Sequence, residues 1–393
     1  MMNLQKQVVL AISLIAFLSV AACRRQSTST QPNTEVPAPG PERVHPETNT
    51  TATATETKFF KGSIGDGLGL QMKLVREGQN LTGSYFYQKV GKKIDVRGAI
   101  DKDSNVTLEE FDANGKQTGV FKGVWKQDGN GAIEIAGNWT KPGGEKKSAF
   151  SLHEEPIEFT HGVEIVARQI KENNKKSKYE IDIQYPQLTG SVDPNFEKFN
   201  QTVRGLMTRK ANDFKKDMAE SANEPAVEGT TETSSESLGS DINTSYVVAL
   251  AKDDLISIEF TVSSYSAGAA HPNSYTEVVN FDLRNGKTLK LADLFQPGSK
   301  YVQVLSTYCI QDLKKQAKSQ GADAVQDEEW IQKGAAPELT NYEHWAITKK
   351  GLRITFDPYQ VAPYAAGPQQ VVVPYSALKE IIKPDGAVGQ FVK

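Results

Sequence analysis

The chain has 393 residues, with 45 Lys and Arg against 48 Asp and Glu, so its formal net charge is −3. This balance provides no basic surface for a nucleic-acid backbone, and we expect no nucleic-acid partner. Two cysteines and five histidines are too few for a disulfide framework or a cysteine-rich zinc module. We therefore predict no metal and no cofactor, and the length suggests two or three domains.

The N-terminal segment predicts export. Residues 1–22 contain one lysine and then an apolar run of about 15 residues, shorter than the roughly 20 needed to cross a bilayer. We interpret them as a signal peptide. The following residues, 23–57, are dominated by Pro, Thr, Ser and Glu and cannot bury enough apolar surface to offset the entropy of ordering. They predict a disordered tether.

The end of the leader, Val20-Ala-Ala-Cys23, resembles the bacterial lipobox. The resemblance implies that cleavage makes Cys23 the first residue of the mature protein and that acyl chains, palmitate among them, are attached to it. Several acyl chains would hold the protein on a membrane. Arg24 at the next position implies the outer membrane if the cell is Gram-negative. An ordinary secreted protein whose leader happens to end in cysteine is the alternative.

Residues 58–154 predict an all-β domain. Turn residues recur every 8–12 positions, and the segments between them alternate apolar and polar side chains. Glycines inside these segments fit bulges and the corners of a barrel. We expect an antiparallel meander or a small barrel.

Residues 157–393 predict an α+β domain. The expected strands are 161–170, 178–185, 242–251, 255–265, 275–283, 344–348, 351–356 and 369–374. The expected helices are 194–220, 299–319, 326–333 and 375–383, and the first two follow from apolar residues at three- and four-residue spacing. Residues 221–240 are of low complexity and predict a mobile loop. Cys309 lies on the apolar stripe of a predicted helix, so we expect it to be buried.

Two separated blocks in this domain are distinctive. The first runs from Tyr265 to Asn273 (YSAGAAHPN) and continues through FDL and LADLF at residues 281–283 and 291–295. The second runs from Phe356 to Tyr364 and ends in VVVPY at 371–375. Over residues 160–385 they resemble the extracytoplasmic domain shared by RsiV-type anti-sigma factors and PdaC-type peptidoglycan deacetylases.

The resemblance implies an α+β fold outside the membrane. In RsiV-type proteins this domain is the sensor and can bind lysozyme, and in PdaC-type proteins it accompanies a separate deacetylase domain. The sequence shows neither a sigma-binding segment with a transmembrane helix nor a deacetylase domain with its metal ligands. By elimination, a binding role is favoured.

The two blocks also supply the candidate ligand-binding residues. In the first, His271 lies in a predicted irregular loop, with Tyr265, Asn273 and Tyr275 as a polar and aromatic rim for a glycan or a protein. A turn shaped by glycine and proline, with His271 satisfying a local backbone group, is the alternative.

In the second block, Tyr359 and Tyr364 are the candidates, because tyrosines can stack on sugar rings. Packing at the end of a sheet is the alternative.

Three functions follow. The favoured one is a non-enzymatic, lipid-anchored cell-envelope protein that binds a wall glycan, such as peptidoglycan, or a wall-active protein resembling lysozyme. The second is small-molecule binding inside the β-domain. The third is an envelope hydrolase, which would require His271, Asp282 and Asp293 to converge in one cleft. No catalytic signature is recognised in the sequence, so no catalytic residue is predicted.

Overall fold

The computed structural model describes residues 55–65, 67–87, 93–129, 131–144, 146–160, 162–221, 239–319 and 328–392. The predicted signal peptide, Cys23 and most of the predicted tether lie outside these residues. So do residues 222–238 of the predicted mobile loop. Within the described part of the chain, no helix is both long and apolar enough to cross a membrane.

An eight-stranded antiparallel barrel forms the N-terminal part of the described chain, which confirms the predicted all-β fold. Each strand pairs with the next, and the eighth pairs with the first. The strands are β1 Thr55–Ile64, β2 Leu68–Glu77, β3 Asn80–Tyr87, β4 Lys93–Ile100, β5 Asn105–Phe111, β6 Gln117–Gln127, β7 Ile133–Thr140 and β8 Lys147–Glu155.

The start of β1 corrects the predicted end of the tether. Residues 55–57 were assigned to the disordered segment, but they pair with residues 75–77 of β2. Their polar composition concealed this, because the partner strand supplies their backbone hydrogen bonds and no side chain there needs to be buried.

The interior of the barrel is filled by side chains. Alternate residues of every strand point inward and form one apolar cluster around Phe121, Leu70 and Ile135, all fully buried. One carboxylate, that of Glu110, joins them and accepts hydrogen bonds from the Tyr85 hydroxyl at 2.5 Å and the Trp139 indole at 3.0 Å. This filled core argues against a ligand inside the barrel.

A seven-stranded mixed sheet forms the first half of the α+β region. Its central strand β12 runs parallel to β11 and β9 and antiparallel to β13. The strands are β9 Ile157–Glu158, β10 Glu164–Asn174, β11 Tyr179–Thr189, β12 Ser240–Lys252, β13 Leu255–Tyr265, β14 Asn273–Asp282 and β15 Lys287–Thr288.

Helix α1, Pro194–Ser221, packs on one face of this sheet. Asp193 caps its start by accepting the Asn195 N–H at 2.8 Å, and Pro194 occupies the first turn. Phe199 and Val203 on its apolar stripe are fully buried against the sheet. Helix α1 therefore buries one face of the sheet in an apolar core. The other face remains for contacts with the rest of the chain.

A three-stranded antiparallel sheet and three helices complete the fold. They share a second apolar core, in which Cys309 is buried as expected, and burial raises the pKa of its thiol to about 12. The elements are α2 Tyr301–Ser319, α3 Glu328–Gly334, β16 Trp345–Ile347, β17 Gly351–Phe356, β18 Gln369–Pro374 and α4 Tyr375–Leu378.

Helix α4 is shorter than predicted. The sequence pattern extended it to residue 383, but it ends at Leu378. The Gln296 N–H donates to the Ile381 carbonyl and the Lys383 N–H donates to the Leu294 carbonyl. The N–H groups of Ile381 and Ile382 still donate to the Leu378 carbonyl, but the Ile381 carbonyl and the Lys383 N–H pair with the distant segment, so the helix does not continue.

A buried polar cluster joins the barrel to the seven-stranded sheet. The Lys61 ammonium on β1 donates to the Tyr246 carbonyl on β12 and lies 4.3 Å from the centre of the Tyr246 ring. Glu155 on β8 is 8% exposed and faces Lys61 and Gln71. Burial lowers the pKa of Lys61 and raises the pKa of Glu155. The two charges compensate each other in a place that solvent barely reaches.

We expect Lys61→Met to lower the free energy of unfolding by about 1–3 kcal/mol, because it removes the donor to the Tyr246 carbonyl and the cation that faces buried Glu155. Replacing both residues by Met should recover most of this loss. Lys73→Met is the matched control: it breaks the half-exposed 2.7 Å pair with Glu164, where we expect a change below about 1 kcal/mol. Urea unfolding of the four proteins measures the differences. A double variant no more stable than Lys61→Met would contradict the charge argument.

Candidate functional site

Two loops meet beside the start of β14. One is the 266–272 connection between β13 and β14, and the other is the 357–368 connection between β17 and β18. Three rings from these loops lie against one another. The ring centres of His271 and Tyr364 are 4.1 Å apart and nearly parallel, and those of Tyr364 and Tyr359 are 5.5 Å apart. We call His271, Tyr359 and Tyr364 the aromatic shelf.

Hydrogen bonds hold the shelf in place. The Tyr364 hydroxyl donates to the Pro272 carbonyl at 2.6 Å, which ties the second loop to the first. The Trp330 indole on α3 donates to the Tyr359 carbonyl at 2.8 Å. The rings are thus fixed before any ligand arrives, which lowers the entropy cost of binding.

Tyr359 is both exposed and strained. Its side chain is 55% exposed, and its backbone has φ +72°, in the left-handed region that bulky residues avoid. This conformation costs roughly 1–2 kcal/mol for an L-residue. Residues held in this way concentrate at functional sites.

Asp357 anchors the second loop to the edge of the seven-stranded sheet. One carboxylate oxygen accepts the Thr276 N–H of β14 at 2.9 Å, and the other lies 3.1 Å from His344 Nδ1. Gln360 continues the anchor, since its side-chain amide donates to the carbonyls of Gly334 and Asn341, both at 3.1 Å. The shelf therefore rests on a hydrogen-bonded frame.

The protonation of His344 depends on its contact with Asp357. Burial opposes the charged imidazolium, but the Asp357 carboxylate, with Glu277 and Glu343 nearby, outweighs burial and raises the pKa of His344. The imidazolium form is therefore the one that strengthens the contact with Asp357.

The predicted binding residues fall into two groups. His271, Tyr359 and Tyr364 come together in the shelf. Tyr265 and Asn273 flank the 266–272 loop at the ends of β13 and β14, and no described ring contact joins Tyr265 to the shelf. Tyr275 points toward α1, where the Lys210 ammonium lies 5.0 Å from its ring centre.

The arrangement required for a hydrolase is not formed by the described residues. Asp282 caps the turn at Asn285, and Asp293 accepts the Lys290 N–H, so both carboxylates organise the backbone. His271 precedes β14 and Asp282 ends it, about 30 Å apart along an extended strand. Among the described residues, no three His, Cys, Asp or Glu side chains gather as metal ligands.

Sequence reasoning missed His344 and Asp357. Asp357 lies inside the second distinctive block, directly before Pro358, and an aspartate at such a position suggests a loop anchor. No sequence pattern marks His344. Its partner Asp357 is 13 residues away, and the two come together only because β17 runs back antiparallel to β16.

Comparison with protein-family models confirms the resemblance of the C-terminal region. Residues 172–274 match the model described as deacetylase PdaC, and residues 292–376 match DUF3298, a family of unknown function. The aromatic shelf draws on both segments: His271 lies in the first, and Tyr359 and Tyr364 lie in the second.

Two curated proteins share part of this chain. The peptidoglycan-N-acetylmuramic acid deacetylase PdaC of Bacillus subtilis is 28% identical over 143 residues, which are 36% of this chain and 29% of that protein. The immunogenic protein MPT64 of Mycobacterium tuberculosis is 28% identical over 117 residues, 30% of this chain and 48% of that protein. The chain thus spans less than half the length of each.

Two crystal structures of DUF3298-family proteins also align with the chain. The one from Bacteroides fragilis is 19% identical, covers 59% of this chain and 98% of its own, and has a TM-score of 0.41. The one from Pseudomonas aeruginosa is 21% identical, covers 57% and 95%, and has a TM-score of 0.40.

The pH dependence of stability tests the His344–Asp357 contact. Because the pKa of His344 is raised on folding, its contribution should be complete below about pH 6.5 and should be lost as the pH rises through the raised value. Urea unfolding between pH 5.5 and 8.5 should show this loss in the wild type. It should be absent in His344→Gln and in Asp357→Asn. If the free energy of unfolding changed with pH in the same way in all three proteins, the contact would contribute nothing to stability.

The strain at Tyr359 can be tested by comparing two truncations. Both Tyr359→Ala and Tyr359→Gly remove the ring, but only glycine adopts φ +72° without cost. We expect the glycine variant to be about 1 kcal/mol more stable than the alanine variant in urea unfolding. An alanine variant of equal or greater stability would mean that the loop relaxes and holds no strain.

Proposed function

We propose that this chain is a non-enzymatic cell-envelope protein whose C-terminal region binds the glycan strands of peptidoglycan on the aromatic shelf. The observation that carries the proposal is the shelf itself. Its three rings lie against one another, and Tyr359 is exposed to solvent although its left-handed backbone conformation costs free energy. A strained, exposed tyrosine contributes little to a core, so a binding role explains why the cost is retained.

The chemistry of the shelf suits a sugar ring. Aromatic faces contact the apolar C–H face of a pyranose, and neighbouring polar groups can bond its hydroxyls. The Tyr359 hydroxyl and the exposed His271 imidazole supply such groups beside the stacked rings. Rings already fixed by the Pro272 and Trp330 hydrogen bonds lose little freedom on binding.

The comparisons support an envelope setting. The name of the Bacillus subtilis relative states that it acts on N-acetylmuramic acid of peptidoglycan. The family model described as deacetylase PdaC matches residues 172–274, which include the loop that carries His271. We therefore propose a location near peptidoglycan for this chain, but we do not propose the deacetylase reaction.

Lipid attachment at Cys23 completes the proposal. Acyl chains there would hold the protein at a membrane, and the residues up to the start of β1 at Thr55 would separate the anchor from the barrel. We expect Cys23→Ala to move the protein from the membrane fraction to the soluble fraction of the source cell. Equal membrane retention of the variant would exclude the anchor.

Glycan binding is tested with the chain from residue 24 onward and insoluble peptidoglycan, sedimented together at physiological salt. Tyr364→Ala should weaken retention about tenfold, which corresponds to 1.4 kcal/mol, because it removes the central ring of the shelf. Tyr364→Phe, which keeps the ring and loses only the bond to Pro272, should retain most of the affinity.

Tyr308→Ala is the matched control, because it removes a half-buried tyrosine on α2 outside the shelf. Its retention should equal that of the wild type. Retention that is unaffected by Tyr364→Ala would remove the shelf from the proposal, and no retention of the wild type would remove the glycan.

A basic wall-active protein resembling lysozyme is the second candidate partner. The observation in its favour is Leu339, which is 55% exposed and flanked by the exposed carboxylates of Glu338 and Glu343. An apolar contact with an acidic rim is complementary to a basic protein. Capture of immobilised lysozyme that persists at physiological salt and is lost in Leu339→Ala would favour this candidate over the glycan.

A further inference from the structure

A cavity lies where the barrel meets β9 and β10, on a different part of the fold from the aromatic shelf. Its volume is about 170 Å³. Its walls are largely apolar and come from both sides of the junction: Phe59, Met72 and Phe86 from the barrel, and Ile157, Ile165 and Val166 from the sheet. No residue of the shelf lines it, so it is a separate site. Apolar cavities at domain junctions are common ligand sites.

Two buried polar side chains face the cavity. Gln71 is 6% exposed and Glu155 is 8% exposed. The Gln71 amide donates to the Glu155 carboxylate at 3.4 Å, longer than the usual 2.7–3.2 Å. The backbone N–H of Val248 is a further donor to this carboxylate. A carboxylate has about four acceptor positions, so Glu155 has capacity for another donor.

The rim of the cavity carries little net charge. Lys73 and Glu164 line it and form a 2.7 Å ion pair with each other. Lys93 also lines it, but it is exposed, and solvent and salt screen its charge. The rim therefore does not favour a strongly charged ligand.

We propose that this cavity binds a small neutral molecule made of a single aromatic or comparably sized apolar ring that carries an O–H or N–H donor. The volume matches this size, since a buried apolar cavity of about 150 Å³ accommodates benzene. The ring packs against the phenylalanine and aliphatic walls. The donor completes the hydrogen bonding of Glu155, which distinguishes the ligand from a plain hydrocarbon.

The probes 4-fluorophenol and 4-fluorotoluene test the proposal, because they differ mainly in the donor. Fluorine NMR titrations with the chain from residue 24 onward measure both affinities. We expect saturable binding of 4-fluorophenol, about tenfold tighter than that of 4-fluorotoluene, from one hydrogen bond to the Glu155 carboxyl group. Equal affinities would overturn the role of Glu155, and no saturable binding of either probe would overturn the site.

A pair of variants on β3 locates the binding. Ser84 lines the cavity, and Thr82 lies two residues away on the same outward face of β3 without lining it. Ser84→Phe should fill the cavity and abolish 4-fluorophenol binding, whereas Thr82→Phe should bind like the wild type. Both changes are at positions that are not fully buried, so the fold should persist, and urea unfolding checks this. Unchanged binding in Ser84→Phe would place the probe elsewhere and overturn the proposal.

Discussion

The carboxylate of Asp357 is the contact on which the candidate site depends. Its two oxygens join the edge of the seven-stranded sheet at Thr276 to His344 at the start of the smaller sheet. Without it, the Thr276 N–H would lose its partner and the loop that carries Tyr359 and Tyr364 would lose its attachment to β14. The site thus lies where the seven-stranded and three-stranded sheets meet, and Asp357 attaches its loop to both of them.

Polar side chains also join the barrel to the seven-stranded sheet. The barrel contacts the central strand β12 through partly buried Lys61 and buried Glu155 as well as through apolar side chains. Lys61 and Glu155 interact electrostatically without forming a direct salt bridge, and the Lys61 ammonium donates to the Tyr246 carbonyl across the junction. These polar contacts are specific in position, so they help to determine how the two parts are placed.

The sequence predicted those features that depend on local patterns. Alternation predicted the barrel strands, and an apolar stripe predicted α1 from Pro194 nearly to its end. Features that depend on distant partners were missed or wrong. Residues 381–383 look helical but pair with 294–296, and residues 55–57 look disordered but pair with β2. In the site, the loop tyrosines were identified by residue type and motif. The contact between His344 and Asp357 was missed, because it depends on the antiparallel pairing of β16 and β17.

The central claim is that the aromatic shelf is the ligand-contacting surface of the C-terminal region. Amide hydrogen exchange of the chain from residue 24 onward, with and without soluble peptidoglycan glycan fragments, tests it most directly. The account predicts added protection in residues 266–276 and 357–368, with the barrel unchanged. Protection confined to the barrel, or to the outer face of α1, with the two loops unaffected, would contradict it.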